Sequence, residues 1–166
     1  MLQSLRTSLA SRAPARLPAR ILALATLTAT AALLSLVGIG LLSGTALLIP
    51  PMAASMALIA GAPALPLSQP RHVIGGQVIS AIIGVSVGLI SNSPWAAAVA
   101  GGVSIGAMLL TRTSHSPAAA TAVIGATIGN GQLGFIGCVV AASIVLVIFG
   151  RVQSILTRIP YPSYWW

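Results

Sequence analysis

Four stretches of the chain, Ile21 to Gly44, Val73 to Ile90, Ala96 to Leu110 and Leu133 to Gly150, contain no charged side chain. At about 1.5 Å of helical rise per residue they approach or reach the length that crosses a hydrocarbon core of about 30 Å. Lipid offers no water to satisfy peptide groups, so such stretches fold as helices that satisfy their own. A soluble alternative is closed off by composition: 57% of the 166 residues are hydrophobic and 5% are charged, too few to cover a water-soluble domain. The chain reads as an all-α membrane protein.

The eight cationic side chains are all arginine, and with no Asp or Glu the formal net charge is +8. In a soluble protein that balance points to nucleic acid or an acidic partner. Here the arginines fall at the ends of the apolar stretches: Arg6, Arg12, Arg16 and Arg20 before the first, Arg151 and Arg158 after the last. Topology signals held in the cytoplasm are distributed this way. The expectation is therefore a multi-pass protein of a bacterial inner membrane with a cytoplasmic N-terminus, bound to the lipid bilayer and not to nucleic acid. Residues 1–20 form a basic, proline-containing leader that also resembles a signal segment. Because the apolar run continues to Gly44 with no polar cleavage region, a retained helix is favoured. Cys138, the single cysteine, reads as a small packing residue.

Between the long stretches lie two short, proline-led ones, "PPMAASMALI" from 50 and "HSPAAATAVIGA" from 115. The order is long, short, long, twice over: four full transmembrane helices plus two short broken or re-entrant helices. At an offset of 66 residues Pro51 matches Pro117, Ser55 matches Thr121 and Ala60 matches Ala126. If each short segment crosses, the two halves are inverted and the arginines near 20, 71, 112 and 151 share one side. If each dips and returns, the halves are parallel. Charge favours crossing, and shortness favours re-entry. Residues 153–166 form a tail whose Tyr161, Tyr164, Trp165 and Trp166 suit the membrane interface.

Small residues recur every four positions: Gly76, Ser80, Gly84 and Gly88 on the second long helix, Ala98, Gly102 and Gly106 on the third, and Gly134, Cys138 and Ala142 on the fourth. Such stripes let backbones approach closely in lipid, within one chain or between copies, and a homo-oligomer is expected.

Proline at a first helical turn has no amide proton to leave unsatisfied, so Pro51 and Pro117 mark helix starts, with Ser116 placed to cap the second. Free amides there, beside Ser55 and Thr121, form a candidate anion seat, flanked by Arg71, His72, Arg112 and His115. With no Asp or Glu in the chain, an anion suits this interior better than a cation, and either histidine can titrate near neutral pH. The competing reading is kinked structural helices packed through small residues, with arginines that snorkel to headgroups. Neither a metal cluster, a cofactor motif nor a catalytic triad is legible, so no metal, no cofactor and no enzymatic activity are expected.

The stretches "PPMAASMALIAGAPALPLSQPRHVIGGQVISAIIG" from 50 to 84 and "HSPAAATAVIGA" from 115 to 126 resemble the HPP family of integral membrane proteins, named for a His-Pro-Pro motif. The family's proline pair falls on Pro50 and Pro51, its Gln-Pro-Arg on Gln69, Pro70 and Arg71, its glycine pair on Gly75 and Gly76, and its His-Pro-Pro on His115, Ser116 and Pro117. Serine thus replaces the middle proline. The resemblance implies a four-helix membrane domain over 21–152 and, by analogy with members implicated in nitrite transport, a small-anion transporter or channel. The alternative is a structural or assembly membrane protein that moves nothing.

Overall fold

The computed structural model describes residues 15–129 and 132–166. Most of the leader, with Arg6 and Arg12, lies outside the described residues, as do Asn130 and Gly131 of the break before the last helix. Among the described residues six α-helices follow in order: α1 Ala19–Ser43, α2 Pro50–Gly61, α3 Pro70–Gly88, α4 Pro94–Thr111, α5 Ser116–Thr127 and α6 Gln132–Thr157, with a 3-10 turn at Pro66–Ser68. Four of them, α1, α3, α4 and α6, are long and apolar enough to cross a membrane. The short pair, α2 and α5, completes the expected all-α pattern.

Proline opens α2, α3, α4 and α5, at a position where the missing amide proton costs no hydrogen bond. Two boundaries differ from the sequence reading. Because Pro70 starts α3, Arg71 and His72 stand in its first turn instead of in a preceding loop. Likewise α6 continues past Gly150 to Thr157, since nothing breaks it before Arg158, whose φ of 62° ends the helix.

Cross-chain bonds fix the direction of every helix. Arg71 on α3 donates from Nε to Arg112 O and from Nη2 to Thr111 O, both at 3.1 Å, so α3 begins where α4 ends. Asn92, in the turn between those helices, donates to Ala126 O at 2.8 Å, which puts the end of α5 at the opposite end of the bundle. Helices α3 and α5 run parallel: an added Cβ at Gly76 meets His115 Cβ at 2.8 Å, one at Gly84 meets Ala122 Cα at 2.8 Å and one at Gly88 meets Ala126 Cα at 3.1 Å. Gln153 on α6 donates to Ala60 O at 2.9 Å and pairs with Thr28 on α1, which gathers the end of α2 and the beginning of α1 at the Arg71 end. Neither short helix folds back. Each runs between the two ends of the bundle, its extended flanks making up for a helical length of about 18 Å. The two long-short-long halves are therefore inverted relative to one another.

The stripe on α3 is spent on close packing against α5, and Ser80 on the same stripe is buried, 3.7 Å from Met108 Sδ. Gly102, Gly106 and Gly134 instead face outward, with no atom within 4 Å of a Cβ placed on them.

Candidate functional site

Four wholly buried polar side chains from three helices meet in the middle of the bundle. Ser55 of α2 accepts from Gln77 Nε2 of α3 at 3.0 Å, Thr121 Oγ1 of α5 donates to Gln77 Oε1, and Ser55 Oγ lies 2.7 Å from Nε2 of His115, the residue that precedes α5. The far nitrogen of His115, Nδ1, lies 2.7 Å from Leu67 O. A carbonyl only accepts, so Nδ1 holds a proton, and in the neutral ring Nε2 accepts from the Ser55 hydroxyl. That hydroxyl also sits 2.8 Å from Pro51 O, so its single proton has two acceptors within reach. Apolar surroundings raise the cost of leaving any member unpaired, and this network leaves none unpaired.

Outside this network, at the Arg71 end, lies a cationic mouth. Nδ1 of His72 is 2.9 Å from Ser114 O, and its Nε2 is 3.0 Å from the Tyr164 hydroxyl. The Arg71 guanidinium lies under the Trp166 ring at 4.6 Å from its centroid. Arg112 occupies the left-handed region with φ 58°, a conformation that glycine adopts more cheaply. Its carbonyl is thereby turned onto Arg71 Nε. Together Arg71, His72, Arg112, Tyr164 and Trp166 line an open cup of about 370 Å³.

The segment 161–166 reaches this cup as a strap. Tyr161 is buried in the core, its N–H donating to Ser154 Oγ at 3.1 Å and its carbonyl accepting from Arg151 at 3.1 Å. Its phenol oxygen is buried without a hydrogen-bond partner among the described residues, and burial pushes its pKa above the usual tyrosine range. Ser163 N–H then donates to the buried Gln69 Oε1 at 2.8 Å.

The family model described as the HPP transmembrane region matches residues 14–162. The chain belongs to this HPP family. Two transmembrane proteins of Dictyostelium discoideum are similar to it: one is 35% identical over 130 residues, 72% of this chain and 45% of the relative, and the other 32% identical over 145 residues, 74% of this chain and 42% of the relative. The HPP chain thus spans less than half the length of these curated relatives. No solved structure matches it.

In this HPP chain the candidates divide between two places. Ser55, His115 and Thr121 join the central network, while Arg71, His72 and Arg112 line the mouth. Pro51 and Pro117 do not face each other. Because α2 and α5 run in opposite directions and overlap along their length, their first turns open toward opposite ends of the bundle, and the middle of α2 meets the start of α5. Ser116 is not the cap of α5: Pro117 takes the second helical position, which makes His115 the residue before the helix and leaves Ser116 exposed in its first turn.

Four participants were not read as site residues from sequence: Gln69, Gln77, Tyr164 and Trp166. Gln77 had a legible signal, as the one side-chain amide in α3. Gln69 lay within a motif already quoted, but its role depends on a partner 94 positions away. The aromatic tail reads equally well as an interface belt, and only the fold shows that Tyr164 and Trp166 turn back onto α3.

Proposed function

We propose that this protein moves a small inorganic anion, with nitrite as the first candidate, across the membrane without catalysing a reaction. The observation that carries this reading is a mouth bearing Arg71 and Arg112 at one end of a bundle that buries a set of neutral hydrogen-bonding groups, in a chain without Asp or Glu. An anion drawn in by the guanidinium groups loses water only where hydroxyl, amide and imidazole groups replace it. Ser55 has one proton and two acceptors within reach, so its hydroxyl can turn from His115 Nε2 or Pro51 O to donate to a passing anion. The arginine-bearing end is assigned to the cytoplasm, in a bacterial inner membrane.

Purified protein in liposomes tests this. Nitrite flux above that of empty vesicles, reduced several-fold by Arg112→Gln in correctly inserted protein, is the expected result. Folded protein that moves neither nitrite, nitrate, formate nor chloride would sink the reading.

An assembly role is the second reading, and one observation favours it: Gly102 and Gly106 form an outward face on α4 where an added Cβ meets nothing within 4 Å among the described residues. We assign that face to contact between copies. Replacing both glycines with leucine should then shift the species seen by cross-linking in mild detergent toward monomer, and an unchanged distribution removes this interface.

A further inference from the structure

The strap becomes steadily less held along its length. Tyr161 is 1% exposed, Tyr164 38% and Trp166 83%. Backbone bonds at Tyr161 and Ser163 fix its root, whereas its outer part is attached through side chains: a hydroxyl-imidazole bond and an edge-on ring contact between Tyr164 and His72, and the Trp166 ring on the Arg71 guanidinium. Those outer contacts are individually weak at an exposed position.

The donors left over define what the cup takes. Arg71 is oriented by two carbonyls and covered on one face by Trp166, so its remaining in-plane N–H groups point in a fixed direction. The guanidinium of Arg112 lines the same cup with no hydrogen-bond or ionic partner among the described residues. With Nδ1 of His72 facing a carbonyl, its Nε2 is the acceptor for the Tyr164 hydroxyl in the neutral ring. An anion arriving there meets donors on one side and aromatic rings on the other, in a space that also admits part of its hydration shell.

We propose that Tyr164 and Trp166 close the cationic mouth into an outer binding site for a small monovalent anion, held between Arg112 and the free edge of Arg71. The outer strap then swings away to pass the anion inward. Binding at this site stands on the geometry of the mouth alone. Only its place in a transport path rests on the function proposed above.

Fluorescence quenching tests the site without transport. With Trp95 and Trp165 replaced by phenylalanine, Trp166 is the sole indole and reports on the cup; a matched protein keeping only Trp165 is the reference. Iodide, an anionic quencher, should quench Trp166 more strongly than Trp165 by about threefold when both are normalised to neutral acrylamide, because a positive mouth concentrates anions. Arg112→Gln should abolish most of that excess, and formate at millimolar concentration should suppress it by competition. Equal normalised quenching of the two indoles, or no change in Arg112→Gln, would overturn the site. Suppression by phosphatidylglycerol in nanodiscs but not by formate would overturn it in favour of a lipid headgroup. The Trp166→Ala and Tyr164→Phe variants, in vesicles, should raise the anion concentration needed for half-maximal flux several-fold while keeping the maximal rate. An unchanged half-maximal concentration would overturn the gating part. Iodide binding without any flux leaves the outer site standing and removes the transport reading; flux without selective quenching does the reverse.

Discussion

Ser55 and Thr121 are bound to opposite ends of one side-chain amide, that of Gln77. These two residues occupy equivalent places in the two halves of the chain, and an amide, with a donor at one end and an acceptor at the other, can join two hydroxyls of opposite sense. Gln77→Leu should therefore cost about 1–2 kcal/mol of stability in detergent, because both hydroxyls lose a partner in an apolar interior. Adding Thr121→Val to it should recover part of that loss, because no hydroxyl is then left facing the leucine from α5. A Gln77→Leu protein as stable as the parent would show that the network adds nothing to the fold.

Glycines of one apparent class should respond differently to a single methyl group. At Gly84 an added Cβ meets backbone atoms of Ala122, which cannot yield without separating α3 from α5, so Gly84→Ala should destabilise by about 1–3 kcal/mol. Gly102→Ala should leave the thermal midpoint of the monomer in place or raise it, since its Cβ enters open space and alanine favours the helix. Thermal unfolding of both variants followed by circular dichroism checks the pair.

The direction of the short helices makes a prediction about sidedness. In a Cys138→Ala background, single cysteines placed beside Arg71 and beside Arg112 should behave alike toward an impermeant thiol reagent, and one at Ser91 should behave oppositely. With the arginine-bearing end in the cytoplasm, only the Ser91 position should label in intact cells. External labelling of the Arg71 and Arg112 positions, with Ser91 shielded, would instead support re-entrant short helices and parallel halves.

Tyr161 offers a test of the core at the root of the strap. Because its hydroxyl is buried without a partner, Tyr161→Phe should leave stability unchanged or raise it by up to about 1 kcal/mol. Tyr161→Ala should lower it by about 3–5 kcal/mol, as the ring fills space beside Ile59 and Gly150. Chemical denaturation in detergent distinguishes the two, and a clear loss in Tyr161→Phe would reveal a hydrogen bond to the phenol.

The helices were legible because lipid demands them: uncharged runs of membrane length and proline at helix starts need no knowledge of tertiary contacts. The equivalence of Ser55 with Thr121 was legible too, from their common offset. What those two residues share was not, because Gln77 belongs to a third helix and its register against α2 and α5 is set by Gly76 and Gly84 accepting close backbones. Charge at Arg71 and Arg112 marked one end of the molecule correctly as a unit, yet the bonds from Arg71 to the end of α4 depend on the left-handed turn at Arg112. Sequence gives little warning of that turn at an arginine. The tail was the least legible part, since the aromatic chemistry suited to a headgroup region also suits a guanidinium and an imidazole.

The network shared by the two halves has a consequence for how the protein is made. Ser55 and Gln77 are synthesised and inserted with the first half, while His115 and Thr121 arrive only with the second. Until α5 is in place, the newly inserted α2 and α3 expose a hydroxyl and an amide to lipid, or keep water beside them. The first three helices are thus an unfinished object, whose buried hydrogen bonds are completed only when the second half is in place.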